Sequence, residues 1–384
     1  MNDGKKIYLD HAASTPLDEE TLQKMLPYFT QIFGNANSQH AFGRSAMAIL
    51  DDARAKIAEL INAADNEIFF TSGGTEADNF AVFGAARAQK QLGRNKIFIS
   101  ALEHSAVREP AAKLAENEGF SLIEIPVKEN GIVDIDFLKS EVDESTALIA
   151  VMGASNELGT IQPIEEAAAI ARRKKATFFT DCVQLAPYVV PDVKKIGADI
   201  LSFSAHKFYG PKGTGILYIK NGTPMERLII GGEQESGMRA GTVNVAGAVG
   251  AAAAYEKAVA HMSEANEKIK RLKELFLREI TTLPYVHVNG GIEGECVPSL
   301  LNLRFDGVNN ASLLALMDMN GIAASAGAAC AGGDIRPSHA LMAKGLSEEL
   351  AKNSIRFSFG KYNTEEDVIY AARTIASLAD KLRG

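Results

Sequence analysis

The chain has 384 residues, 46% of them hydrophobic and 23% charged, which is enough apolar sequence for one large core or two packed domains. Its 40 basic and 48 acidic residues leave a formal charge of −8 with no basic tract, which argues against nucleic acid and anionic membranes as partners. No apolar run approaches the roughly 18 residues of a membrane-spanning helix, and the start MNDGKKIYLD lacks a signal-peptide core. Three scattered cysteines, Cys182, Cys296 and Cys330, form no CxxC pair and suit a reducing compartment. We therefore expect a cytoplasmic protein with free thiols and no metal site.

Short β-branched or aromatic runs alternate with amphipathic stretches from Glu67 onward. The runs predicted as strands are EIFFTSG, NKIFIS, TALIAVMGAS, ATFFTD and ADILSFSA, and the stretches predicted as helices are TEADNFAVFGAARAQK, HSAVREPAAKLAENEG and IEEAAAIARRKK. The strand centres are continuously apolar, which is typical of strands covered on both faces. This alternation predicts an α/β fold with a mostly parallel sheet wrapped by helices.

An Ala-rich stretch from about Val245 toward Ile280 is predicted as helical, and the pattern changes beyond it. There follow YVHVNG, LLNLRFDG, the helical ASLLALMDMNG, GIAAS, SIRFSFG and a last helix from Glu365. That order predicts a smaller α+β arrangement. We predict a large domain of residues 13–260 and a small domain of residues 1–12 and 261–384, which takes in the N-terminal strand KIYLD.

The segment FTSGGTEADNF places Gly74 and Thr75 where a strand turns into a helix. Small residues there let backbone N–H groups approach a phosphate at the positive helix end. By itself the signal is weak, because a Gly-Gly turn is more often only a tight connection and the GxGxxG spacing is missing.

A stronger signal comes from two later strands. TFFTDCVQ ends a strand at Asp181, and SFSAHKFYGPKGTG places Ser204, His206 and Lys207 after another, at the edge where open α/β sheets bind ligands. A carboxylate for a pyridinium nitrogen, a lysine for a Schiff base and a glycine-rich phosphate cradle are what pyridoxal 5′-phosphate requires. Singly, Lys207 is better explained as an exposed lysine and Asp181 as a strand-end cap. Together they favour this cofactor.

Sequence blocks along nearly the whole chain carry a family resemblance. In order they are YLDHAASTP, GNANSQHAFGR, FTSGGTEADN, EHSAV, SNELGTIQP, SFSAHKFYGPKGTG, GGEQESGMRAGTVNV, AGAAC and IRFSFGKYNTEED. On these blocks the chain resembles the cysteine desulfurases of the class V aminotransferase group, within the fold-type I pyridoxal-phosphate enzymes. The resemblance implies a homodimer, because the active sites of this fold lie at the subunit interface.

The resemblance also implies roles for particular residues. Lys207 would carry the cofactor and need a neutral amine, which burial beside cations favours. Asp181 would pair with the pyridine nitrogen, and His104 would stack on the ring and transfer protons. The supporting ligands implied are Gln184 for the ring hydroxyl, Gly74, Thr75, Ser204 and His206 for the phosphate, Thr242 for the partner subunit's phosphate, and Arg356 with Asn156 for the substrate carboxylate. Without that resemblance, His104 is better explained as a helix-start histidine and Arg356 as an edge-strand surface charge.

Cys330 lies in SAGAACAGGDIRPSHA, a run of small residues suited to a mobile loop. A free cysteine is usually a small buried hydrophobe, but a desulfurase needs a thiol that attacks the substrate sulfur and carries it away. The resemblance therefore implies conversion of L-cysteine to L-alanine, with a persulfide on Cys330. Its sulfur would pass to an acceptor protein for iron–sulfur cluster assembly or tRNA thiolation. We expect structural roles for Cys182, which should point away from Asp181, and for Cys296.

Some positions depart from the family pattern. They are Ala326, Ala328 and Ala331 around the cysteine, Phe179 before the cofactor aspartate, Ser155 before Asn156, and Glu233 where glycine is common. These departures leave the chemical residues intact, so the expected reaction class is unchanged. They bear instead on the reaction rate, the behaviour of the cysteine loop and the choice of partner protein. The alternatives are a selenocysteine lyase or a pyridoxal-phosphate aminotransferase. An alternative from a different functional class is a sulfur-relay or regulatory protein with little turnover, which the alanines around Cys330 leave possible.

Overall fold

The structure, a computed structural model, describes residues 6–290, 295–326 and 337–383. Its strands are β1 Ile7–Tyr8, β2 Ile68–Thr71, β3 Lys96–Ser100, β4 Ser121–Ile125, β5 Thr146–Ala150, β6 Thr177–Asp181, β7 Ile200–Ser204, β8 Gly215–Ile219, β9 Val286–Val288, β10 Leu300–Phe305, β11 Ile322–Ala323 and β12 Ser354–Ser358.

Its helices as far as the start of the C-terminal part are α1 Glu19–Met25, α2 Pro27–Thr30, α3 Ala41–Ile61, α4 Gly74–Lys90, α5 Ser105–Glu118, α6 Ile135–Glu141, α7 Ile164–Lys174, α8 Val193–Ile196, α9 Val245–Ala260 and α10 Met262–Ile280. After them come α11 Asn310–Met319, α12 His339–Ala343, α13 Glu348–Ala351 and α14 Glu365–Arg383. Single 3₁₀ turns are Asp65–Glu67, Ala205–Lys207 and Glu235–Gly237. In the described residues no helix is both long and apolar enough to cross a bilayer.

The largest sheet in the described part of the chain has seven strands in the order β2-β8-β7-β6-β5-β3-β4. Strands β7, β6, β5, β3 and β4 run parallel, whereas β8 is antiparallel to both β7 and β2. Consequently β2 points the same way as the parallel strands. The predicted α/β fold with a mostly parallel sheet is confirmed.

Both faces of this sheet are covered, because successive side chains of a strand point to opposite sides. In β6, Phe178 and Phe179 are both fully buried, yet they belong to different hydrophobic clusters. Helices α4 and α5 pack on the Phe179 face, and α7 packs against the sheet as part of the Phe178 cluster. This explains the continuously apolar strands.

The helical stretch predicted from Val245 to Ile280 is two helices, α9 and α10, divided at His261. His261 has φ −109° and ψ 11°, outside the helical region. The break lets α9 pack its alanines against α3 while the strongly amphipathic α10 packs against α14.

Smaller sheets complete the C-terminal part of the described chain. Strand β10 lies between β9 and β12, and the N-terminal β1 pairs in parallel with β11. One hydrophobic cluster includes Ile149 of the large sheet, Leu272 of α10 and Phe357 of β12. Because that cluster crosses residue 260, the division into domains 13–260 and 261–384 stays a prediction.

Candidate active site

The predicted site residues converge on one edge of the large sheet. Asp181 and Ser204 are the last residues of β6 and β7, and Lys207 ends the 3₁₀ turn that follows β7. His104 follows β3, and Gly74 begins α4 directly after β2. Because these strands all point the same way, their carboxyl ends bring the side chains together, as predicted.

The Lys207 amine is largely withdrawn from solvent. Its Nζ donates hydrogen bonds to the carbonyl oxygens of Ala12 and Ala13, the latter at 3.2 Å. Burial, helped by the nearby charge of Arg356, lowers the pKa of Lys207 from 10.5 to about 8. A substantial neutral fraction is therefore available near neutral pH, which a nucleophilic amine requires.

Asp181 shows the opposite shift. Its side chain is 5% exposed, and Oδ1 accepts the N–H of Val183 at 2.8 Å. Burial raises the pKa of Asp181, although the fields of His104 and Lys207 favour the charged form. A buried carboxylate with this little compensation would gain from a cation, and a pyridinium nitrogen supplies one.

Two further buried acids lie within the electrostatic reach of Asp181. Asp78 of α4 accepts a hydrogen bond from the hydroxyl of Ser202, and Glu103 accepts the N–H of Met152 at 2.6 Å. Burial, reinforced by the charge of Asp181, raises the pKa of both acids well above the ordinary range. The surroundings therefore favour the neutral form of both acids, and sequence reasoning missed both.

The start of α4 can hold a phosphate. Gly73, its N-cap residue, makes no side-chain capping bond, so the first N–H groups of the helix are open to a ligand. A Cβ on Gly74 would lie 2.9 Å from Val183 Cγ2 and 3.5 Å from Ser204 Cβ, so the backbone here packs directly on the ends of the neighbouring strands. Thr75 is exposed beside it.

Buried polar atoms near this turn have no partner among the described residues. They are Ser204 Oγ and Gln184 Oε1. Since buried polar groups are normally hydrogen-bonded, such atoms fit a bound group that carries oxygens. His206 lies 3.2 Å from Ser14 Oγ through Nδ1, and burial lowers its pKa to about 4, so it is neutral. Ser204, His206 and Gly74 could hold the phosphate of pyridoxal phosphate, and Gln184 its ring hydroxyl.

Glu76 would place a negative charge in the first turn of α4, but Arg239 neutralises it. Two bonds join them, Nε to Oε1 at 2.8 Å and Nη2 to Oε2 at 3.1 Å. Burial opposes ionisation of Glu76, and the bonds from Arg239 and Ser72 outweigh it, leaving its pKa below the ordinary value. Sequence reasoning missed this pair. Thr242, three residues beyond Arg239, is exposed.

His104 is the N-cap residue of α5, and its Nδ1 accepts the N–H of Ala106 at 3.1 Å. That bond leaves Nε2 as the ring nitrogen that can exchange a proton with a ligand. Burial lowers the pKa of His104, and the charge of Lys207 adds to the effect while that of Asp181 opposes it. The ring is therefore mainly neutral at neutral pH.

Arg356 is 5% exposed, so it is a buried residue and not a surface charge. Its Nη1 donates to the carbonyl oxygen of Asn156 at 2.8 Å, and Nη2 pairs with Asp10 Oδ1 at 3.0 Å. Its buried Nε has no partner among the described residues. The structure therefore joins Arg356 to Asn156 and leaves one guanidinium donor for a ligand.

Cys330, with Ala328 and Ala331, lies outside the described residues. Cys182 is buried on the face opposite Phe179, 3.6 Å from Thr180 Oγ1, and burial raises its pKa. Cys296 is half-buried. A raised pKa disfavours the reactive thiolate, which fits a structural role for Cys182.

The chain matches known proteins over its whole length. The model of the aminotransferase class-V family matches residues 7–370. A protein of Clostridium botulinum (strain Hall) named "Cysteine desulfurase IscS" is 43% identical over 381 residues, 99% of this chain and 96% of that protein. A solved structure described as "NifS-like protein" superposes with a TM-score of 0.92 at 35% identity, covering 98% of this chain and 100% of the other. Another, "SspA in complex with cysteine", gives 0.82 at 31% identity, covering 94% and 100%.

These matches and the site geometry define a fold-type I enzyme, and the chain belongs to the class-V aminotransferase family. Pyridoxal 5′-phosphate is the cofactor of this family, and the residues described above fit it. Within the family, the full-length similarity places the chain among the cysteine desulfurases.

Proposed function

We propose that this protein removes sulfur from L-cysteine, giving L-alanine and a persulfide on Cys330. The observation that carries the proposal is the arrangement of Lys207, Asp181 and Arg356. A buried amine with a lowered pKa and a buried carboxyl meet at one sheet edge, near a guanidinium with a free donor. The relatives named cysteine desulfurase supply the substrate class.

Each residue has a task that its surroundings support. Bound pyridoxal phosphate supplies an electron sink for negative charge at the substrate Cα. Asp181 holds a proton-bearing nitrogen of that group, and Arg356 binds the substrate carboxylate through Nε. Lys207 removes the Cα proton, for which its pKa of about 8 suits it near neutral pH. His104, through Nε2, accepts or returns protons.

The sulfur step belongs to Cys330. Its thiolate attacks the substrate sulfur, so a new S–S bond forms and the Cβ–S bond breaks, with the electron pair passing to Cβ. Protonation of Cβ and return of a proton to Cα complete L-alanine. The sulfur then leaves on the protein, and a plain aminotransferase would have no use for this thiol.

The test compares single substitutions in the loaded enzyme. Cys330→Ser should retain the cofactor absorbance and lose alanine and sulfide release by about a thousandfold or more. Lys207→Ala should lose the absorbance of the covalently held cofactor as well as activity. Cys296→Ser is the matched control and should stay close to wild type. Undiminished sulfide release from Cys330→Ser would exclude the persulfide, and a keto-acid requirement would indicate an aminotransferase.

The proposal includes a homodimer in the cytoplasm. Phe29, Phe33 and Phe42 are 59%, 66% and 59% exposed, an apolar surface that a second subunit would cover. Cys182 is a free thiol, which suits a reducing compartment. Sedimentation at increasing dilution tests the dimer, and full activity in a monomer would contradict it.

The proposal also includes an acceptor protein for the sulfur, either an iron–sulfur scaffold or a tRNA-thiolation protein. A persulfide is useful only when such a protein can reach it. The deciding measurement is transfer of ³⁵S from the loaded enzyme to each purified candidate. Release of all label as free sulfide, with none on either candidate, would contradict a relay to these acceptors.

A further inference from the structure

Tyr209 has a backbone conformation that side-chain-bearing residues rarely adopt. It lies two positions after Lys207, with φ +65° in the left-handed region. Such a conformation persists only where the surroundings hold it, and it concentrates at functional sites. The contacts that hold Tyr209 in this conformation therefore indicate its function.

The N-terminal segment holds the backbone on both sides of Lys207. Thr15 Oγ1 donates to the carbonyl of His206 at 2.8 Å and accepts the N–H of Tyr209 at 2.8 Å. The N–H of Asp18 donates to the carbonyl of Tyr209 at 2.9 Å. The turn that carries Lys207 is thus attached to residues 15–18.

The Tyr209 side chain is held from the C-terminal part. Its phenolic oxygen accepts the N–H of Lys361 at 2.9 Å, and the Lys361 ammonium lies 4.2 Å from the centre of the ring. The same ammonium pairs with Asp18 Oδ2 at 2.9 Å. We call Tyr209, Lys361 and Asp18 the clasp.

The clasp connects the part of the site that contains Lys207 to the part that contains Arg356. Lys361 lies five residues after Arg356, just beyond the end of β12. Asp10, which pairs with Arg356, and Ala12, whose carbonyl holds Lys207, belong to the same N-terminal segment that reaches Asp18. Lys207 and Arg356 are therefore tied to one another by short, buried or half-buried contacts on either side.

We infer that Tyr209 is a positioning residue that sets the placement of Lys207 relative to Arg356, through its contacts with Lys361 and Asp18. This inference rests on the proposed function, because it assigns Arg356 to the substrate carboxylate. An α-amino acid contacts both residues at once, with its carboxylate at Arg356 and its Cα near Lys207. A wrong spacing should weaken binding of any such ligand, whether or not it contains sulfur.

The test measures binding of L-alanine, which has no thiol, to the loaded enzyme by the change in cofactor absorbance. Tyr209→Phe keeps the ring and removes the acceptor for Lys361, and Lys361→Gln removes the charge. Each should weaken L-alanine binding by about five- to tenfold and raise KM for L-cysteine in parallel, with kcat changed about twofold or less. The double variant should be no worse than the more impaired single variant, because both act through one clasp.

Tyr370→Phe on α14 is the matched control, since Tyr370 is 38% exposed and takes no part in the clasp contacts described above, and it should bind as wild type. Wild-type L-alanine affinity in both clasp variants, or a lowered melting temperature as their sole change, would overturn the inference. Should Tyr209→Phe fail to fold, Lys361→Gln decides. Failure of the wild-type enzyme to make alanine from L-cysteine would refute the proposed function instead, and the L-alanine affinities would still test the clasp.

Discussion

Burial moves the pKa of Lys207 down and that of Asp181 up, so the protein stabilises the neutral form of both groups before any ligand binds. For Lys207 this is useful directly, because only the neutral amine is a nucleophile or a base. For Asp181 it means that a cationic partner would favour the ionised form. At the scale of single residues, the site is prepared by desolvation and completed by the cofactor.

The first prediction concerns the pH dependence of cofactor capture by Lys207. Only the neutral amine reacts, so the rate at which apoprotein captures pyridoxal phosphate should rise through a midpoint of about pH 8 and level off above it. Arg356→Gln should move that midpoint upward, because it removes a positive charge that favours the neutral amine. Absorbance changes after mixing measure the rate.

The control for this titration is Arg373→Gln. Its side chain is 71% exposed on α14, and its loss should leave the midpoint unchanged. A wild-type midpoint near the ordinary lysine value of about 10.4 would show that the amine is not desolvated in solution. An unchanged midpoint in Arg356→Gln would show that the charge of Arg356 does not lower the pKa of Lys207.

At the scale of elements, the phosphate turn depends on close contact between strands. Gly215 begins β8, which pairs with β2 just before the turn. A Cβ on Gly215 would lie 2.4 Å from Gly73 C and 2.5 Å from Gly73 O. Since those are backbone atoms, no side-chain rotation can relieve the overlap. The absence of a side chain on one strand therefore shapes the start of α4.

The second prediction follows from that contact. Gly215→Ala should push the Gly73 turn away and weaken pyridoxal-phosphate affinity by about tenfold or more, with a lowered melting temperature. Gly74→Ala is the comparison, because its Cβ would meet a movable Val183 methyl, and its affinity should fall about threefold at most. Equilibrium binding to apoprotein measures both. Equal losses in the two variants would contradict the assigned role of backbone contact.

At the scale of the whole molecule, Thr242 could bind the cofactor phosphate of its own subunit or that of the partner subunit. Arg239 pairs with Glu76 of its own chain and so places this segment near its own α4. Thr242 itself is exposed, which leaves it accessible to a second subunit. The family resemblance favours the partner subunit.

The third prediction uses mixed subunits to decide this. Thr242→Val alone should weaken pyridoxal-phosphate affinity about tenfold, and Lys207→Ala alone should be inactive. A hybrid dimer of the two contains one site with both Lys207 and Thr242 only when Thr242 acts across the interface. We therefore expect subunit exchange to restore tight cofactor binding and alanine formation in half of the hybrid's sites.

The control mixes Lys207→Ala with the double variant Lys207→Ala/Thr242→Val, which cannot restore any site. Native mass spectrometry counts the hybrids. If hybrids form and no tight site appears, Thr242 acts within its own subunit.

Sequence alone determined the main features of the fold and the position of its chemistry. Continuous apolar runs such as Phe178–Phe179 indicate strands covered on both faces, so the parallel sheet could be predicted. A charged residue directly after such a run lies at the carboxyl edge, which located Asp181 and Lys207. The break at His261 was not predicted, because the residues on both sides favour helix and only their different packing partners separate α9 from α10.

Tertiary structure alone decided the surroundings of these residues. Asp78 lies in a predicted helix and Glu103 just before another, where either carboxyl would suit a solvated surface. Both are buried, Asp78 against Ser202 of β7 and Glu103 against Met152 just after β5. The Glu76–Arg239 pair and the left-handed Tyr209 join residues far apart in the chain. Local sequence carries no record of such contacts, since desolvation and electrostatic fields depend on everything that folding brings near a group, whatever its distance along the chain.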